Sequence, residues 1–263
     1  MRIVSMAQNV PGPVAVARLV AEGAAAIKIE PLSGDQLAGI CRPWYDELHA
    51  GVAVERIDLK TVPGITRLKS LLSTADVFLA SQRPSALARL GLDAASLHRD
   101  LPSLRYVNVV GDTRNPEEPG HDLTYQARAG LLPGAMPLTL FGDMVGAERV
   151  HAAIHRAMLE PGATRIVGLF DALDDLAAPL RHGLTAKGGW LGGGNPAYAI
   201  YRAKEGAVAV AALEPHFRSR LYEGLGLADG ADPTEVFLTR TADEWEQWAK
   251  ERDLPLQRCQ TPF

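Results

Sequence analysis

The sequence is poor in cysteine, has no long apolar run and carries no surplus of positive charge. Each shortage removes a class of protein. Only two cysteines occur in 263 residues, Cys41 and Cys259. They are far apart and show no C-x-x-C spacing, so two unpaired thiols in a reducing cytoplasm is the reading that follows. No His and Cys spacing suggests metal ligands, and no metal is expected. No apolar run reaches 18 residues, which argues against a membrane span. Residues 1–9 lack the apolar core of a secretory signal. With 27 Lys and Arg against 31 Asp and Glu the net charge is −4, which disfavours nucleic acid as the partner. No G-x-G-x-x-G or P-loop pattern occurs. There are no internal repeats, and the only low-complexity run is rich in glycine.

What is present reads as an ordinary globular protein. Apolar residues make up 47% and charged residues 22%, and the length allows one large domain or two modest ones with a substantial core. Residues 2–6 read as a strand, 8–13 as a turn broken by Pro11, Gly12 and Pro13, 14–22 as a helix and 26–29 as a second strand. That order predicts a parallel sheet with helices packed on it. It recurs with a helix over 63–72, a buried strand over 77–80, helices over 86–90 and 94–100, and a strand over 106–110. Residues 112–119 read as a loop and 143–159 as a helix. From 183 to 196 the chain is glycine-rich. A hairpin over 199–202 and 207–211, turned at Lys204 to Gly206, follows, then helices over 217–225 and 241–252. Thr241 and Glu244 form a capping box for the last. The fold class is therefore α/β, with a parallel-sheet, Rossmann-like large domain over 1–183 and a smaller α+β domain over 184–263.

The chemistry concentrates between residues 119 and 147. His121 follows Gly120, and Asp143 follows Gly142 at the start of a helical run. Imidazole and carboxylate are suited to moving protons near neutral pH. Asp143 also suits a plain helix N-cap. The N–H groups of that helix start could equally hold a developing oxyanion. The Pro11-Gly12-Pro13 turn is open between a tight βα connection and a loop whose backbone approaches a ligand.

Ordered segments along the chain resemble the class III CoA-transferase (CaiB/BaiF) family, which includes the α-methylacyl-CoA racemases. They are Arg2-Ile3-Val4, Pro11-Gly12-Pro13-Val14-Ala15, Ile27-Lys28-Ile29-Glu30-Pro31, Ile57-Asp58-Leu59-Lys60 and Ser81-Gln82-Arg83-Pro84. Then come Gly120-His121-Asp122, Gly192-Gly193-Gly194-Asn195 and Leu213-Glu214-Pro215-His216-Phe217. The resemblance implies an acyl-CoA substrate, with CoA entering as part of it and no permanently bound cofactor. It places Pro11, Gly12, Ser81, Gln82 and Arg83 near CoA. In the racemase branch it implies His121 and Asp143 as paired bases, with Glu214 orienting His121. In the transferase branch Asp143 is the nucleophile, and Gly192, Gly193 and Gly194 close over the intermediates. Gly-His-Asp followed by Tyr125 looks like the racemase form. A homodimer in the cytoplasm is implied, with neither membrane nor nucleic acid as partner. The basic cluster that faces the nucleotide in the family is reduced over 49–56 to Arg56. The family's C-terminal return segment has no counterpart after Leu254, so a shortened, non-catalytic member is the remaining alternative.

Overall fold

Ile3, Val77, Leu79, Val107 and Val109 pack on one face of a sheet, and Val4, Phe78, Ala80 and Tyr106 on the other. That alternation is the two-residue period of a strand buried on both sides. The computed structural model describes residues 1–132 and 134–260. It divides into two compact units, Met1–Ala177 and the remainder from Ala178.

The first unit runs β1 (Arg2–Ser5), α1 (Pro11–Ala21), β2 (Ala25–Glu30), α2 (Gln36–Ile40), α3 (Arg42–Leu48), β3 (Val52–Arg56), α4 (Val62–Leu72), β4 (Val77–Ala80), α5 (Pro84–Arg89), α6 (Ala94–Asp100), β5 (Arg105–Val110), α7 (Asp122–Arg128), α8 (Phe141–Ala157), β6 (Thr164–Gly168) and α9 (Leu169–Leu176). All its strand pairs are parallel, in the order β3-β2-β1-β4-β5-β6. Ile3 lies between Ala26 and Val77 in the register. Helices α1 and α8 cover one face through Val16, Leu19, Val150 and Ile154. Leu68, Leu72, Leu87 and Leu97 of α4, α5 and α6 cover the other. The winding direction reverses between β1 and β4. A crevice therefore opens there beyond the carboxyl ends of the strands, where open α/β sheets bind ligands.

The second unit contains α10 (Ala178–Arg181), β7 (Tyr198–Arg202), β8 (Ala207–Ala211), α11 (Pro215–Leu225), α12 (Thr234–Phe237), α13 (Ala242–Lys250) and β9 (Leu256–Arg258). The strands form an antiparallel sheet in the order β7-β8-β9. Its core gathers Tyr201, Phe237, Trp245 and Trp248, and the buried Trp245 Nε1 donates to the Phe237 carbonyl at 2.8 Å. The hairpin turns at Gly206, whose φ of 80° favours glycine.

Particular differences from the sequence reading have physical causes. Strands β3 and β6 lie at the sheet edges and are half-exposed, so neither shows a continuous apolar run. Helix α8 starts at Phe141, which moves Asp143 inside the helix. The unit division falls after Ala177 and not at residue 183, because α10 bonds forward into the glycine-rich segment, Leu184 N–H donating to the Pro179 carbonyl at 2.9 Å. Among the described residues no helix is long and apolar enough to cross a membrane.

Candidate active site

The first unit holds a cavity of about 580 Å³, within the range typical of small-molecule sites. It lies at the β1/β4 switch point. The β1–α1 loop contributes Asn9 and the first turn of α1 contributes Pro11 and Gly12, the segment after β4 contributes Ser81, Gln82 and Arg83, and the segment after β5 leads to His121 and Tyr125. The first turn of α8 contributes Asp143. Seven of the residues singled out in the sequence thus line one cavity: Pro11, Gly12, Ser81, Gln82, Arg83, His121 and Asp143.

The β1–α1 loop is held from below. Asn9 has a positive φ of 62°, and its N–H donates to both oxygens of Asp35 at 3.1 and 3.2 Å. Asp35 is buried and also caps α2 by accepting from Leu37 N–H at 2.9 Å. The buried Lys28 lies 2.5 Å from Asp35 and 3.4 Å from Glu30, and 2.9 Å from His49 Nε2. Tyr45 donates its hydroxyl to Glu30 at 2.7 Å. A buried ion group of this kind is tolerable only because its members satisfy one another. Gly12 is needed for contact alone, since a Cβ there would lie 2.1 Å from that of Ala7. Gln82 joins the two loops, with Nε2 donating to the Met6 carbonyl at 2.8 Å, and Ser81 Oγ accepts from Gln8 N–H at 3.2 Å. Arg83 is exposed.

Beyond β5, Tyr125 sits against two glycines. A Cβ on Gly111 would lie 2.3 Å from its hydroxyl, and one on Gly120 would lie 2.4 Å from its ring. The tyrosine therefore sets how closely the loop before His121 approaches. Burial pushes the Tyr125 phenol up, and the Asp143 carboxylate adds to the effect. Asp112 anchors the same loop to Arg114 and Arg128. Burial alone would raise its carboxyl, but the bonds to the two arginines bring it down to about 2. His121 precedes α7 in extended conformation, and its N–H donates to Thr124 Oγ1 at 3.0 Å. Its exposed imidazole lines the cavity.

Asp143 is not the cap of α8. Asp122, the first residue of α7, does that work: its Oδ1 accepts from Gly142 N–H at 2.6 Å and Asp143 N–H at 3.1 Å. Gln126 Nε2 donates to the other oxygen at 2.6 Å. Met144 N–H is taken by the Leu140 carbonyl. These N–H groups are therefore spent and unavailable to an oxyanion, contrary to the sequence expectation. The Asp143 side chain is freed to face the cavity. Burial, with the Asp122 carboxylate beside it, raises its carboxyl to about 7. A carboxyl poised there exists in both protonation states at neutral pH. Nothing in the local sequence around Asp143 gives Asp122 away as its neighbour. The only available signal was an aspartate placed at a helix start.

Glu214 and the glycine run belong to the second unit. Glu214 is exposed at the N-cap of α11 and makes no side-chain cap bond. Gly192 and Gly194 fold back onto Gly189, their N–H groups donating to its carbonyl at 2.8 and 2.9 Å, and Gly193 has a φ of 93°. The sequence excluded metal-ligand spacing, but overlooked that His151 and His155 lie one helical turn apart on α8.

The sequence matches CoA-transferase family III over residues 1–262. The chain belongs to that family. A mouse alpha-methylacyl-CoA racemase is 26% identical to this family III chain over 276 residues, covering 95% of it and 69% of the mouse protein. A cinnamoyl-CoA:phenyllactate CoA-transferase of Clostridium sporogenes is 25% identical, covering 99% and 77%. In fold, the family III chain is similar to a hypothetical protein of Mycobacterium tuberculosis, with TM-score 0.86 at 23% identity, covering 99% of this chain and 84% of that one.

Proposed function

We propose that the chain is an acyl-CoA enzyme that racemises a 2-methylacyl-CoA by two-base transfer of the α-proton, with His121 and Asp143 as the bases. The observation that carries this reading is the state of Asp143. Its carboxyl is freed from capping by Asp122, raised to about 7 and shares one cavity with the His121 imidazole. The α-proton of a thioester passes to one base, and the electron pair moves onto the thioester oxygen. The opposite acid then returns a proton to the other face of the carbon. Each turnover leaves the pair in reversed protonation, so both members must titrate near neutrality. Asp143 is brought there by its surroundings. The racemase relative supports the substrate class.

A neighbouring groove extends the reading to the nucleotide end of CoA. It shares Gln8 and Gln82 with the first cavity and is lined by Lys60 and Arg89. We assign these two cations to the CoA phosphates, where they replace the basic cluster missing from 49–56. The proposal keeps Glu214 as the carboxylate that sets the His121 tautomer, Gly192 to Gly194 as a covering loop, and a homodimer as the working form.

The glycine run and the transferase relative favour a second reading. There Asp143 attacks the thioester carbonyl, the carbon–sulfur bond breaks, and CoA leaves as thiolate while the acyl group stays on Asp143 as a mixed anhydride. One experiment separates the two. Incubation of a 2-methylacyl-CoA in deuterated water should exchange the α-proton without an acceptor acid. Absence of exchange, with a hydroxylamine-trapped aspartyl hydroxamate at Asp143, would establish the transferase instead.

A further inference from the structure

Outside the cavity, α1 and α8 meet along a seam whose solvent edge is polar. Arg18 pairs with Glu148 at 2.8 Å. One turn further along, Glu22, the C-cap of α1, meets two histidines of α8. Its Oε1 lies 2.8 Å from His151 Nε2 and its Oε2 lies 2.9 Å from His155 Nε2. The three ligand atoms all fall within 4.8 Å of one another, and the imidazoles meet edge to face with centroids 4.7 Å apart. We propose that Glu22, His151 and His155 bind a divalent transition-metal ion, zinc by preference, which clamps α1 to α8.

Geometry and chemistry agree. Histidines four apart lie on one helix face. Their helix is fixed by Val150 and Ile154, both fully buried. In a tetrahedral zinc site with bonds of about 2.0–2.1 Å the ligand atoms are roughly 3.3 Å apart. The glutamate oxygens need to retreat by about half an ångström, and the widest separation among the three ligand atoms, up to 4.8 Å, has to close by as much as about 1.5 Å; the Glu22 and His155 side chains, 48% and 50% exposed, are free to make these adjustments. Two imidazoles and a carboxylate suit zinc and its neighbours in the transition series, not magnesium or calcium. Three protein ligands leave a fourth position for water. The site is separate from the cavity. His151 follows Asp143 by eight residues on α8, about 12 Å of helix, so the ion is structural and takes no part in chemistry there.

The test uses tag-free protein stripped with EDTA and dialysed, titrated with zinc ions by calorimetry. Wild type should bind one ion per chain, and its thermal midpoint should rise with zinc. His155→Ala and Glu22→Gln should each weaken binding tenfold or more, since even partners one step removed from the ion are worth about 10–100-fold. Glu22→Gln retains an oxygen acceptor for one imidazole N–H, so in EDTA it should melt like wild type. Its loss of zinc then reports the carboxylate and not the fold. No saturable binding, or unchanged affinity in both variants, overturns the site. Binding at these residues with no rise in midpoint overturns the clamp.

Discussion

Replacing Asp122 by asparagine separates the two reasons why Asp143 titrates near neutrality. The rise of its carboxyl from 3.8 to about 7 is roughly 4 kcal/mol of preference for the neutral form, at about 1.4 kcal/mol per pKa unit. Burial is the larger cause and the Asp122 charge the smaller, so removing the charge should recover less than half, about one pH unit. Asparagine is well chosen because its carbonyl oxygen can still accept from Gly142 and Asp143 N–H. The partner bond survives as well. Gln126 Oε1 is buried with no hydrogen-bond partner, so turning that amide lets it accept from the new Nδ2. The assay is the pH profile of kcat/KM for α-proton exchange, taken for each enantiomer. For the enantiomer whose proton Asp143 removes, the acidic limb should move to lower pH. For the other, to which Asp143 gives a proton, the alkaline limb should move to lower pH. The opposite limbs should stay in place. Unmoved limbs, or a move to higher pH, would refute the electrostatic argument.

Asp143→Asn should stabilise the fold at pH 8 by a few kcal/mol and much less at pH 4, read from urea unfolding. The sign follows from linkage: below 3.8 both folded and unfolded carboxyls are protonated, and the cost of ionising the buried group grows as pH rises towards about 7. A pH-independent effect would contradict it. Gly120→Ala puts a Cβ 2.4 Å from the Tyr125 ring; we expect a loss of about 1–3 kcal/mol and a fall in exchange rate as His121 shifts, and wild-type behaviour in both would count against the wedge. Lys28→Met leaves the buried Asp35 without its cation and Glu30 with only Arg56 at 3.8 Å, which should cost about 3–5 kcal/mol and raise KM through the freed Asn9 loop. A loss under about 1 kcal/mol would show that the group is not held as described. Alanine at Lys60 and Arg89 together should raise KM for the CoA thioester with little change in kcat, and an unchanged KM would remove them from phosphate binding.

How much of this was legible in the sequence depended on burial. Strands β1, β2, β4 and β5 were readable because they carry apolar runs between glycine and proline breaks, and β4 is buried along its whole length. The capping box at Thr241 was readable because it is local, and it forms with Glu244 N–H donating to Thr241 Oγ1 at 3.3 Å and Thr241 N–H to Glu244 at 2.8 Å. Edge strands β3 and β6 were not, because solvent on one side relaxes the demand for apolar residues. Short helices such as α2, α3 and α9 were missed as well. At the site, His121 and Asp143 were visible as residue types, but the capping of α8 by Asp122 is tertiary and leaves no mark near Asp143. The same holds for Glu22, 129 residues from His151.

The most direct measurement of the two-base claim is enantiomer-resolved exchange in deuterated water with His121→Ala and Asp143→Ala. One base suffices for exchange, and two are needed for inversion. Each variant should therefore lose racemisation altogether and lose exchange from one enantiomer only, the two variants failing on opposite enantiomers, with losses on the order of 10²–10⁴ in rate. Loss of exchange from the same enantiomer in both variants, or racemisation that survives either substitution, would contradict the account.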